Sequence, residues 1–160
     1  MPQSQTMGEG ANVASRNVES ALSFVEAGFR GDQETAASLL GPGFTVAQHA
    51  QGYRASTIDE LVEAADGVAS WTDYDFHVER VIDAADGSAV VVHGVLSSTH
   101  TGSAWRGLAP TGKRVTFDAC FILSFDDEGR IVSQDIFEDH FTVLEQIGVV
   151  TLPAQTAKNA

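Results

Sequence analysis

The chain is poor in cysteine, in basic side chains and in long apolar runs, and each shortage excludes something. A single cysteine, Cys120, rules out an intrachain disulfide. It stands in an apolar strand pattern with no His or Lys close in sequence, so it reads as a buried, inert thiol. Only 9 Lys and Arg stand against 22 Asp and Glu, a formal charge of −13. Such a surface repels phosphate backbones and anionic membranes, which argues against nucleic-acid and membrane partners. No apolar run reaches the roughly 18–20 residues of a membrane span. Met1 to Gly10 is polar and lacks the basic and apolar regions of a signal peptide, so a cytoplasmic location is the expectation. There is no G-x-S-x-G, P-loop or dinucleotide fingerprint. His49, His77 and His140 are scattered without ligand-like spacing, so no metal site is expected.

What remains is ordinary globular material, 43% hydrophobic over 160 residues, enough for one core. Residues 1–11 and 153–160 read as polar, disordered tails around a single domain at 12–152. Ala14, Val18, Ala21, Leu22, Val25 and Phe29 recur at helical spacing, predicting a helix from Asn12 to Arg30. Gly31 can end it, and Asp32 can cap a short helix to Leu40, which Gly41 and Pro42 stop. Phe44 to His49 reads as a short strand. Ser56 and Asp59 resemble a capping box for a third helix ending near Gly67.

The period then changes to that of strands. Tyr74 to Ile82 and Ser88 to Thr99 flank the Asp86-Gly87 hairpin signal. Ala109 to Gly112 suits a type I turn before a long strand, Arg114 to Phe125. Asp126 to Gly129 turns the chain into a last strand, Ile131 to Phe137, and a short helix follows. Helices first and meandering strands after indicate an α+β domain whose helices cover one face of a twisted sheet. Several strands are apolar at successive positions, so both faces are expected to be buried, the outer one in a homodimer.

Thr99-His100-Thr101-Gly102, then Gly107-Leu108-Ala109-Pro110-Thr111-Gly112-Lys113, resembles the SnoaL-like polyketide cyclases of the nuclear-transport-factor-2-like superfamily. The likeness continues through Gly129-Arg130-Ile131 to Asp139, Leu144, Gln146, Ile147 and Gly148, following a pattern like G-K-I-x-x-x-x-D-x-x-D-x-x-x-x-L-x-Q-L-G. The first helix also fits, at Phe24-Val25-Glu26-Ala27 and Gly31. The resemblance implies a cone-shaped barrel of strongly curved antiparallel or mixed sheet covered by the N-terminal helices. It implies a hydrophobic biosynthetic intermediate as ligand, with no metal and no organic cofactor.

In the ester-cyclase branch of that family an aspartate on the last strand is the acid/base. The resemblance puts its place at Ile136. A histidine typical of the preceding strand falls at Phe121, and a tyrosine of the first helix roughly at Gly28. The proton-transfer machinery is thus replaced by apolar groups. Asp135 is adjacent, but a one-residue step points a strand side chain to the other face unless a bulge intervenes. Gln134 shares parity with Ile136 and could donate to a substrate carbonyl. Asp139 suits a helix N-cap as well as acid/base work. His93 is either a buried neutral ring or, with an unperturbed pKa near 6.5, the best single general acid/base. His100 near a turn suits a structural hydrogen bond. Phe24, Phe121 and Ile136 are expected to line the pocket, with Tyr53, Trp71 and Trp105 as rim aromatics.

Three functions follow. The first is a cofactor-independent cyclase that folds a hydrophobic polyketide into a reactive conformer, as in a Diels–Alder-type closure. Proximity of this kind is worth on the order of 7–11 kcal/mol in the best cases. The second keeps acid/base chemistry, as an aldol cyclase, isomerase or epoxide-opening cyclase. The third is a binding protein for a hydrophobic metabolite.

Overall fold

The structure is a computed structural model and describes residues 7–57, 60 and 69–151. Helix α1, Met7–Arg30, starts five residues before the expected Asn12, so 7–11 are helical rather than tail. Residues 1–6 of the first expected tail and all of the second lie outside the described residues. The buried residues of α1 are Asn17, Ala21, Phe24, Val25 and Ala27 among those whose side chains are described, and the first four form a stripe at 3–4 spacing aimed at the sheet. Asn17 also ties the helix to a hairpin, its Nδ2 donating to the Gly87 carbonyl at 2.9 Å. Helix α2, Gln33–Ser38, is capped as expected by Asp32, which accepts from the Thr35 amide at 3.0 Å.

Six strands follow: β1 Leu40–Gln48, β2 Tyr53–Ala55, β3 Trp71–Asp83, β4 Ala89–His100, β5 Arg114–Phe125 and β6 Ile131–Glu138. They form one open sheet in the order β2-β1-β6-β5-β4-β3. The pair β1–β6 is parallel and the other neighbours are antiparallel, so the sheet is mixed. Gly41 and Pro42 do not interrupt the chain; β1 runs through them with a register shift between Leu40 and Thr45. On β4 buried and half-buried residues alternate strictly. The apolar residues at successive positions therefore divide between a fully buried inner face and a partly covered outer face. The inner face packs on α1 through Val90, Val92, Phe121 and Leu123.

Two loop expectations are corrected. At the expected third helix the cap is Thr57, whose Oγ1 accepts from the Glu60 amide, while Glu60 takes the Ser56 amide. Thr57 is therefore the capping side chain, and Glu60 reaches back one residue beyond it; Asp59 and residues 61–68 lie outside the described residues. At Ala109 to Gly112 the Gly112 amide bonds across to the His100 carbonyl at 2.8 Å, not back to Ala109. The tight turn is earlier: Trp105 and Leu108 exchange both backbone bonds, with Arg106 at φ 51° and Gly107 at φ 79°. Two positive φ values make a type I′ turn, which glycine adopts freely and arginine does not.

Helix α3, His140–Ile147, closes the domain. Asp139 caps it, accepting from the Thr142 amide at 3.0 Å and the Thr142 hydroxyl at 2.5 Å. Gln146 pins it to β5, exchanging both bonds with the Thr116 backbone at 2.9 and 2.7 Å. The family-like Asp139 and Gln146 thus hold the helix that carries His140. No helix among the described residues is long and apolar enough to cross a membrane.

Candidate functional site

Strand parity decides which side chains meet inside the cone. On β6, Gln134 is opposite Leu123 and Ile136 opposite Phe121, with no register shift between them. Gln134 is buried and Ile136 packs on the core cluster that holds Phe24 and Phe121. These four expected site residues share the interior. Phe121 sits against Phe29 and Phe76, with ring centroids 5.9 and 5.5 Å away.

Asp135 points the other way. Its carboxylate pairs with His49 Nε2 at 2.7 Å, and that ring stacks on Phe137 at 4.3 Å, on the outer face. No bulge turns it inward, so its side chain does not share the interior with Gln134 and Ile136. His93 is also on the outer face, half-exposed, with Glu79 and Asp118 at 3.7 and 3.6 Å. It stands opposite Cys120 and so cannot reach the interior. Cys120 itself is half-buried, and burial pushes its thiol pKa up, consistent with an inert group. Asp139 is spent on its cap; the Thr142 hydroxyl and amide hold its carboxyl below the usual range.

Two of the three expected rim aromatics are core residues. Trp71 and Trp105 are buried in a second core, edge to face at 5.4 Å. His100 stacks on Trp71 at 4.7 Å, and its Nδ1 faces the Thr111 amide and hydroxyl. Burial lowers the His100 pKa and keeps the ring neutral. Its expected structural role stands. Tyr53 packs on the first core and donates its hydroxyl to the Glu60 carbonyl at 2.5 Å.

A different polar group occupies the interior. Glu138 is the last residue of β6 and shares the parity of Gln134 and Ile136. Its Oε2 accepts from Gln48 Nε2 at 2.6 Å and lies 2.9 Å from His140 Nε2. All three side chains are largely buried: Gln48 at 8% exposed, His140 at 9% and the Glu138 side chain at 15%. His140 and Trp105 meet edge to face at 5.3 Å, and the buried Nδ1 of His140 has no hydrogen-bond partner among the described residues. Tyr74 is near enough that the Glu138 charge, after burial, raises its phenol pKa. Tyr74 also lines a cleft of about 360 Å³ between α1 and β3, with Phe29 and Phe76. Tyr74 and Phe117 touch both cores and join this polar group to the apolar interior.

The arrangement puts a carboxylate and an imidazole in contact where water is scarce, the setting in which proton transfer can be tuned. Spacing rules missed it because the pair straddles a strand end and a helix start, at i and i+2. Parity alone could have found Glu138, as the next inward side chain after Ile136.

Comparison with known proteins agrees with this architecture. The SnoaL-like polyketide cyclase family matches residues 19–147. Among solved structures, a candidate SnoaL-like polyketide cyclase from Jannaschia sp. CCS1 superposes with a TM-score of 0.76 at 20% identity, covering 94% of this chain and 100% of the other. AclR, a candidate hydroxylase from Streptomyces galilaeus, gives 0.73 at 20% identity, covering 88% and 91%. IdmH, a candidate polyketide cyclase from Streptomyces antibioticus, gives 0.68 at 24% identity, covering 83% and 99%. No curated protein matches the chain. At these identities the neighbours speak for the fold alone. The family match covers most of the sequence, and the chain belongs to the SnoaL-like polyketide cyclase family.

Proposed function

We propose that this protein closes a ring in a hydrophobic polyketide by proton transfer, without a cofactor. The observation that carries the proposal is the buried contact between Glu138 and His140 at the end of the inner face that Ile136 and Phe121 line. Ile136, Phe121 and Phe24 supply the greasy wall that would hold a flat, neutral chain, and Gln134 is a buried amide beside them. Glu138 and His140 supply a group that can take a proton and return it. Incubation with a linear neutral polyketide ester is expected to yield an isobaric ring-closed product by mass spectrometry and NMR. Recovery of bound but unchanged ligand after long incubation would instead make the protein a metabolite binder.

One observation favours a second reading. Phe121 and Ile136, the places where the family resemblance puts acid/base groups, are apolar and pack on each other's strands. A shape-driven, Diels–Alder-type closure needs only such a mould. It predicts that Glu138→Ala and His140→Gln keep most activity, whereas proton transfer predicts a loss of about 100-fold or more in each.

A further inference from the structure

We propose that His140 Nδ1 is the base of this site and that Glu138 and Gln48 are positioning residues that fix the tautomer in which Nδ1 is bare. The inference rests on the proton-transfer reading above and assigns its atoms. The chain of hydrogen bonds determines the direction of each proton. The Ala50 amide can only donate, and it stands 3.0 Å from Gln48 Oε1. That settles which end of the Gln48 amide is oxygen. Gln48 Nε2 therefore donates to Glu138 Oε2 at 2.6 Å. An oxygen that accepts from one nitrogen in this way, in an ionised carboxyl, accepts from the second as well. The second is His140 Nε2 at 2.9 Å, which then carries the ring proton.

A neutral imidazole protonated on Nε2 presents a lone pair on Nδ1. Here that atom is buried and unpartnered among the described residues. Asn17 Oδ1, Asp83 Oδ1 and His100 Nε2 are likewise buried without partners among the described residues, so it is the contact of the opposite ring nitrogen with Glu138, at 2.9 Å, that sets His140 apart. The division of labour is that of a carboxylate orienting an imidazole whose other nitrogen does the chemistry. Neither residue occupies the place that the family resemblance gives to its aspartate, which is Ile136. The carboxyl instead lies two residues on along the same inward face.

The step balances without a co-reactant. Nδ1 takes a proton from a carbon between or beside carbonyls, leaving an enolate and an imidazolium held by the Glu138 carboxylate. The enolate carbon attacks a second carbonyl carbon of the same molecule, one C–C bond forms, and the carbonyl electron pair moves to oxygen. That oxygen recovers the proton from Nδ1–H, so the product is an isomer of the substrate.

The test uses the full chain labelled with 15N-histidine, with His140→Gln to assign the resonance. At neutral pH His140 is expected to show a protonated Nε2 and a bare Nδ1. Glu138→Ala and Gln48→Leu are expected to mix the tautomers, while the His100 signals, held by Thr111, stay in place as a folding control. In parallel, deuterium uptake into the methyl group of 2-acetylnaphthalene in D2O reads proton abstraction without ring closure. Wild type is expected to accelerate it, with a loss of about 100-fold in His140→Gln. A proton on Nδ1 in wild type, no acceleration by wild type, or uptake that survives His140→Gln would each overturn the assignment. Uptake that depends on His140, with no cyclised product from any linear polyketide, would keep the base and sink the ring-closing reading.

Discussion

Two carboxyl residues on β6, three positions apart, have opposite fates, and strand parity explains both. Asp135 has the right chemistry for an acid/base group and the wrong direction. Glu138 has the right direction and no motif to announce it. Asp135 and His93 both belong to the outer face, so Asp135→Ala and His93→Ala are expected to leave turnover within about twofold of wild type. A loss of tenfold or more in either, with circular dichroism unchanged, would mean that the outer face takes part. Phe121 is the counterpart on the inside. It is 4% exposed and in ring contact with Phe29 and Phe76. Phe121→Ala is expected to cost about 3–5 kcal/mol of stability, the usual range for a buried phenylalanine. A urea midpoint that barely moves would show that α1 collapses into the space.

At the scale of elements, α3 matters more than its eight residues suggest, because it carries His140 from a fixed start. Asp139 fixes that start. Its carboxyl pKa is depressed in the fold, so the cap stabilises fully above the ordinary carboxylate range, near pH 4, and fades as pH falls through the lower folded value. Asp139→Ala is expected to lower stability by about 1 kcal/mol at neutral pH and by less below pH 3. Equal destabilisation at both pH values would contradict the cap. Gln146 fixes the other end of the helix on β5. Gln146→Ala removes both bonds to Thr116, at a cost of about 1–2 kcal/mol. Its effect on turnover is expected to exceed its effect on melting, because a looser α3 moves His140. A proportional loss of both would make Gln146 a stability residue only.

The same elements show what the sequence could disclose. The long antiparallel strands β4, β5 and β6 were legible because runs of β-branched residues end in Asp- and Gly-containing turns. The caps Asp32 and Asp139 were legible because capping is a local event. Strand β2 has three residues and no pattern of its own. The parallel pairing of β1 with β6 joins segments some 90 residues apart, and no local rule encodes it. The turn at Arg106-Gly107 was hidden because arginine is not a residue that favours positive φ. The site was legible as an apolar wall, from Phe24, Phe121 and Ile136. Its polar end was not, since Gln48, Glu138 and His140 come from three elements and meet only after the sheet has formed.

At the scale of the whole molecule, the outer sheet face is the surface left to account for. Phe137 is 43% exposed and Ile82 is 52% exposed, while Val91, Val95 and Ile122 are only half-buried. Apolar side chains on one broad face favour a second copy of the chain over solvent. The same face carries Asp75, Glu79, Asp118 and Asp135, and each chain bears a net charge of −13. Bringing two such faces together costs Coulomb repulsion, and that repulsion is screened over about 10 Å at 0.1 M salt and about 3 Å at 1 M. Salt also strengthens apolar burial when its ions are excluded from the surface. Both effects have one sign. Sedimentation is therefore expected to show a species of twice 16.9 kDa whose dissociation constant falls as salt rises. Phe137→Glu is expected to weaken it by tenfold or more, since it replaces an aromatic ring with a further negative charge on an acidic face. A chain that sediments as a monomer at micromolar concentration in both low and high salt would show that this face stays in water.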